Sequence, residues 1–377
     1  MKITGLSLSK YSNTLLQGLT TSEVNSLTSK ELGGLSTAQV NALSTDQLQA
    51  ISASAIGGLS SLTSLDATKI FALVTAQIAA LGTGQVGGMS TAQIAALTTV
   101  QITKLTTAQV VSLSTGQIAA IETEDLASMS TSQISAMEIK DLAVLTTNQV
   151  QALSTDQLNN LKTAQIRALT AAQLEALTTD QMSAMGTGVV SALSASQIAV
   201  LATDDLAALS TDAVVGLTTA QVKALTTAQV VALSEDQAGV LTTAQVKALT
   251  TAQVAVFETA DLAKLGTSHI QALSTGAIAN LTVDQFKSMG TEQINALTTG
   301  QVKGLTTAQL VALTTDQAGG LSAAMVSALS ATQFAALATD DLAALSTDAV
   351  VGLTTAQVGA LTTAQVVALS EDQAGVL

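Results

Sequence analysis

The chain repeats itself every eight residues, and this period limits its fold more than any other feature. The octad is clean in Leu217-Thr218-Thr219-Ala220-Gln221-Val222-Lys223-Ala224 and begins again at Leu225. With Leu as position 1, Ser or Thr holds position 2, Gln position 5, Val, Ile or Leu position 6, and Ala or Gly usually position 8. A continuous α-helix turns about 100° per residue, so the apolar stripe would spiral around it. A continuous strand would send positions 1 and 6 to opposite faces, since they lie an odd number of residues apart. The chain must therefore bend within each octad.

The octad also says how. Ser or Thr followed three residues later by Gln is a capping box: the hydroxyl accepts from the N3 backbone N–H and the Gln side chain accepts from the cap's own N–H. The residue before the cap and the residue at N4 form a hydrophobic staple. These are positions 1 and 6. Each octad thus reads as a helix of about one and a half turns over positions 3 to 8, followed by a turn through the next Leu and Thr.

Charge placement supports this reading independently. Of the 27 acidic residues only Glu175 lies outside positions 2 to 5. Lys104, Arg167, Lys223, Lys247, Lys264, Lys287 and Lys303 sit at positions 7 or 8. That polarity matches a helix dipole that restarts in every octad. At Val74, Lys162, Ala202 and Ala338, where position 2 lacks a capping side chain, the following Thr is expected to take the role. Gly82, Gly186, Gly266 and Gly290 are acceptable caps as they stand.

A helix this short is unstable alone, because nucleation costs more than so few residues recover. Stacking must supply the stability. The expected fold is all-α, a solenoid of very short capped helices, one per octad, with Leu and Val in a narrow core and Thr, Gln and Asp outside. Its rival is a Thr-rich β-solenoid, favoured by the β-branched content. The acid and base polarity has no explanation in that rival.

Three segments follow from the register. Residues 1 to 18 are degenerate N-terminal capping repeats, with Ile3 and Tyr11 at position 1. Residues 19 to 64 are an octad array that closes on a six-residue slip, Leu59 to Ser64. Residues 65 to 377 keep the octad without a gap, one continuous solenoid. Residues 201 to 241 and 337 to 377 differ only at Lys223 and Gly359, at an offset of 136 residues, which is seventeen octads. Growth by block copying makes repeat number matter more than any single position.

Composition narrows function. The chain carries 27 acidic residues against 13 Lys and Arg, a net charge of -14, and no Cys, Pro or Trp. A surplus of acid with scattered bases argues against nucleic acid and anionic membranes as partners. No apolar run approaches the roughly 18 residues of a spanning helix, so membrane insertion is not expected. Met1 to Lys10 lacks the apolar core of a cleaved signal peptide. The last residue, Leu377, opens a new octad, so either the protein continues or this end stacks head-to-tail on the first repeat of another copy.

Chemistry has few candidates. His269, the only His, replaces Gln at position 5; with no Cys or second His to share a metal, it reads as a capping residue at the surface. The pairs Asp204-Asp205, Asp340-Asp341, Glu235-Asp236 and Glu371-Asp372 read as dipole and capping residues, since calcium needs six to eight oxygens and a loop to carry them. No base stands with an orienting group beside the many Ser and Thr. The expectation is no enzyme, no catalytic, cofactor-binding or metal-binding residue, and no cofactor.

The word Leu-Thr-Thr-Ala-Gln-Val-Val-Ala-Leu at residues 361 to 369 resembles the opening helix of the repeats of transcription-activator-like effectors. Their longer period, base-reading pair and basic backbone contacts are missing, so DNA reading does not carry over. The uninterrupted array is similar to the octapeptide-repeat regions of bacterial secreted and cell-surface, adhesin-like proteins. That resemblance implies an extracellular structural role as stalk, spacer or filament-forming subunit, exported without a cleaved N-terminal signal. The other reading is a solenoid scaffold that recognises a cell-surface protein or glycan.

Overall fold

A computed structural model describes residues 8 to 377, and the expectations for residues 1 to 7, Ile3 among them, lie outside the described residues. The described residues fold into short α-helices of four to six residues, one per octad, with 3-10 turns at Leu8–Lys10, Ile56–Gly58 and Ser60–Ser64 and no strand. The all-α solenoid is therefore the fold, and the β-solenoid is not. Contacts divide the chain into two compact units, Met1–Gln181 and Met182–Leu377.

One octad shows why the helices start and stop where they do. Thr218 is extended at φ -72° and ψ 157°, and its Oγ1 accepts from the Gln221 N–H at 3.3 Å. Gln221 Oε1 accepts in return from the Thr218 N–H at 2.7 Å. Helix runs from Thr219 to Ala224 and ends at Leu225, again extended at φ -54° and ψ 135°. Two consecutive extended residues, positions 1 and 2, turn the chain into the next helix.

Within each unit a helix packs on the helix three octads along. In the first unit Thr123–Ser128 lies against Thr147–Ala152; in the second Thr219–Ala224 lies against Thr243–Ala248. One turn of the solenoid is thus three octads, 24 residues, with three sides and three corners. Positions 1 and 6 from all three sides fill the interior: Leu217 is 4% exposed and Val222 not at all. Where Phe takes position 6, at Phe286 and Phe334, it too is fully buried.

The slip is absorbed without losing a side. Leu59 to Ser64 is only six residues and winds as a tighter 3-10 turn at Ser60–Ser64, directly after another at Ile56–Gly58. Leu59 and Leu62 are fully buried and Leu65 nearly so, and so they keep the core continuous. A 3-10 coil rises further per residue than an α-helix, so fewer residues span one side.

Two expectations need correction. The pattern predicts Gln and Asp outside, yet Gln221, Gln229 and Gln245 are 1 to 2% exposed, and Asp125, Asp141, Asp205, Asp261 and Asp341 at the same position are 5% or less. The capping box bends position 5 back under its own helix, towards the preceding turn. The second correction concerns Val74, Lys162, Ala202 and Ala338. Each remains the cap residue without a side-chain cap bond, and the following Thr is the first helical residue. At Val74 and Lys162 the Gln half of the box still operates, since Gln77 and Gln165 Oε1 accept from the cap N–H, both at 2.8 Å.

Candidate functional site

Each corner leaves an acceptor that the octad itself cannot satisfy. The position 6 carbonyl receives a bond from the N–H of the next Leu, as Leu193 N–H donates to Val190 O at 3.3 Å. The carbonyl of that Leu, extended and buried, has no such donor from the backbone among the described residues. A buried carbonyl left unpaired costs about 1 to 3 kcal/mol, so the corner needs a donor from elsewhere.

The donor is the Gln of the next turn. Gln221 Nε2 donates to Val190 O at 2.7 Å and to Leu193 O at 2.8 Å. In the first unit Gln133 Nε2 donates to Ile102 O at 3.0 Å and Leu105 O at 2.8 Å. The same amide therefore does two jobs. Its oxygen closes the cap of its own helix and its nitrogen ties that helix to a corner 28 to 31 residues earlier. An amide is the side chain that offers an acceptor and two donors together.

The tie persists through the slip. Gln77 donates to Leu48 O and Ile51 O, 29 and 26 residues back, and Gln85 keeps the same spacing to Ile56 and Leu59. Both spacings are two residues shorter than the standard pair, which is what a six-residue side removes. At the start of the array, Gln39 donates to Leu8 O at 3.1 Å and Tyr11 O at 2.8 Å. The octads before it carry Leu15, Glu23 and Glu31 at position 5. Cap bonds hold both Glu carboxylates below the usual carboxylate range, through the Thr20 and Thr28 N–H groups.

Lys69 shows what a corner will accept. It stands at position 5, and its ammonium donates to Asn41 O and to Leu43 O, the latter at 2.9 Å. Asn41 and Asn295, at position 7, make a second kind of tie towards the following turn. Asn295 Nδ2 donates to Gly320 O while Oδ1 accepts from the Ser322 N–H at 3.0 Å.

His269 performs half of the Gln task. Its Nδ1 accepts from the Gly266 N–H at 3.1 Å, and burial alone depresses its pKa, so the neutral ring with the proton on Nε2 fits this geometry. It is half-buried rather than at the surface. The acidic pairs split: Asp204 and Asp340 are exposed, whereas Asp205 and Asp341 are buried at position 5. Glu235 instead pairs with Lys264 at 3.4 Å across two helices. Among the described residues no three His, Cys, Asp or Glu side chains come together as a metal-holding group. An open depression of about 540 Å³ over Met137, Glu138, Ile139, Lys140 and Lys162 holds a Glu138–Lys140 ion pair and no nucleophile with a base.

A family model described as the ALTTAQ repeat matches residues 24–61, 83–115, 118–155, 152–187, 198–235, 214–251, 254–291, 286–323 and 334–371, well over half of the chain. This chain belongs to the ALTTAQ repeat family. Comparison with curated proteins returns no match. The family's word can now be placed in the structure, for instance as Ala224-Leu225-Thr226-Thr227-Ala228-Gln229. It spells the end of one helix, the extended corner, the cap, the first helical turn and the inter-turn tie. What recurs in an ALTTAQ repeat is the corner more than the helix.

The sequence carries one signal of this double role of Gln. A capping box is served by Glu as well as by Gln. An acidic chain that still places Gln at most of its position 5 sites is asking for a donor.

Proposed function

We propose that this ALTTAQ repeat protein is a non-enzymatic structural element of the bacterial cell surface, acting as a stalk, spacer or filament-forming subunit. The observation that carries this reading is that the same turn-to-turn tie recurs in both units, Gln133 on Ile102 and Leu105 in the first and Gln221 on Val190 and Leu193 in the second, so that one turn is equivalent to the next. Polar work inside the fold is directed to neighbouring turns, which suits a chain whose useful variable is the number of octads.

Export is supported by the likeness to octapeptide-repeat regions of secreted proteins and by a sequence without Cys, which an oxidising medium cannot cross-link. Among the described residues no helix is long and apolar enough to cross a membrane. Protease treatment of intact bacterial cells tests the location: the chain is degraded if it is displayed and survives if it is internal. Adding or removing blocks of three octads tests the spacer role. Attachment or reach then changes with block number, whereas a scaffold that binds a protein or glycan through particular octads loses binding only when those are removed. Mass photometry at rising concentration decides the filament part, since a species that stays monomeric throughout removes it.

A further inference from the structure

The corner carbonyls accept an amide from Gln and an ammonium from Lys69. Four corners within the two units face a buried Asp instead. Asp125, Asp141, Asp261 and Asp341 occupy position 5 there, at 4, 0, 2 and 3% exposure. The register that gives Gln133 the carbonyls of Ile102 and Leu105 assigns Val110 and Leu113 to Asp141, and Val230 and Leu233 to Asp261. An ionised carboxylate has only lone pairs to offer to a corner that also has only lone pairs. Asp141 shows the result: Oδ2 accepts from the Glu138 N–H at 3.0 Å, while Oδ1 is buried without any partner.

We propose that Asp141 and Asp261 are proton-binding positions through which mild acid tightens the solenoid. At Asp141 a proton on the unpartnered Oδ1 removes a buried charge and turns an acceptor that the register sets against carbonyls into a donor; Asp261, buried at the same position, is set against Val230 and Leu233 by the same register. The other oxygen continues to close the cap. A carboxylic acid then carries the same pair of functions as the Gln amide, on a side chain one methylene shorter. The step is a simple protonation from solvent.

The surroundings agree. Asp141 shares its octad with Glu138 and Lys140; the helices packed on it are Thr115–Ala119, without charge, and Thr163–Ala168, with Arg167 and the cap Lys162. Asp261 has Glu258 and Lys264 in its octad, Glu235 and Asp236 on one packed helix, and Asp284 and Lys287 on the other. Burial is the main cause that raises both carboxyls, and at Asp261, where Glu258 and Glu235 add to it, the value is pushed up to about 6. A folded-state value above the unfolded one near about 3.9 means stability is gained as pH falls through about 6. Glu23, Glu31 and Asp66, whose values are lowered by cap bonds, act the other way only in stronger acid, whereas His269, depressed by burial, acts the other way within this window, so both chains in the test carry His269→Gln.

The test compares this full-length parent with its Asp141→Asn/Asp261→Asn variant, in which an amide of the same length imitates the protonated state. Between pH 7.5 and 5.5 the melting temperature of the parent rises, by roughly 2 to 4 °C. The variant melts higher at pH 7.5 and shows a flatter slope. A parent melting temperature that is level or falls over this range, or a variant with an unchanged slope, overturns the proposal. Carbon-13 titration of the wild-type Asp carboxyls gives a second reading that needs no variant: a midpoint above pH 5 supports it, and all midpoints near 4 refute it. If sodium or calcium at pH 7.5 stabilises the parent and not the variant, the corners hold a cation and the proton reading is wrong.

Discussion

At the scale of the residue, position 5 decides how one turn holds the next. Hydrophobic contact at positions 1 and 6 is non-directional and would tolerate slippage between turns, whereas an amide aimed at two particular carbonyls fixes the register. Lys69 offers a clean test because it makes the tie without the usual amide. Lys69→Met keeps the apolar stem and loses the donor, and is expected to cost on the order of 1 to 3 kcal/mol in urea unfolding, while Lys69→Gln restores the common residue and costs much less. The cap was legible in the sequence, since Ser or Thr and Gln three apart have one well-known use. The tie was not, because it joins residues about 30 apart and no local pattern shows which carbonyls a corner leaves unpaired. The buried Asp residues were misread for the same reason: their place near a helix start explained them locally, and their burial comes from the turn before.

At the scale of the element, helices of four to six residues exist only because caps, corners and neighbours define both ends. Octad boundaries were therefore readable to within a residue or so: Thr219–Ala224 covers positions 3 to 8 as the capping box implied. The meaning of the slip was not readable, because a six-residue spacing alone does not distinguish a bulge from a compressed side. The structure makes it a compressed side, and that compression depends on a close approach. A Cβ added to Gly58 would lie 2.0 Å from the Ser29 carbonyl oxygen, an atom of rigid backbone in the neighbouring turn. Gly58→Ala is expected to destabilise the first unit by about 1 to 3 kcal/mol, seen as earlier unfolding by circular dichroism. Gly84→Ala, where nothing lies within 4 Å of the added atom, is the control and leaves stability nearly unchanged.

At the scale of the whole molecule, each unit is a stack in which every octad meets its counterparts 24 residues away, so stability is a sum of local terms between neighbouring turns. Removing residues 225 to 248, three octads, preserves both the register and the identity of each side. Such a chain is expected to keep its helix content per residue, whereas removal of residues 225 to 236 puts position 5 against the wrong carbonyls and lowers helix content by circular dichroism. The period of eight was visible in the sequence, but the three octads per turn were not, since the corner angle belongs to backbone geometry that the spelling does not state. The central claim is that position 5 glutamines bind turn to turn through their side-chain nitrogens. Hydrogen exchange of Gln side-chain amides, followed by nitrogen-15 NMR, tests it most directly because the chain contains its own controls. Gln149 and Gln301 at position 5 should exchange slowly, and Gln151 and Gln271, exposed at position 7, should exchange fast. Equally fast exchange at both positions would contradict the account.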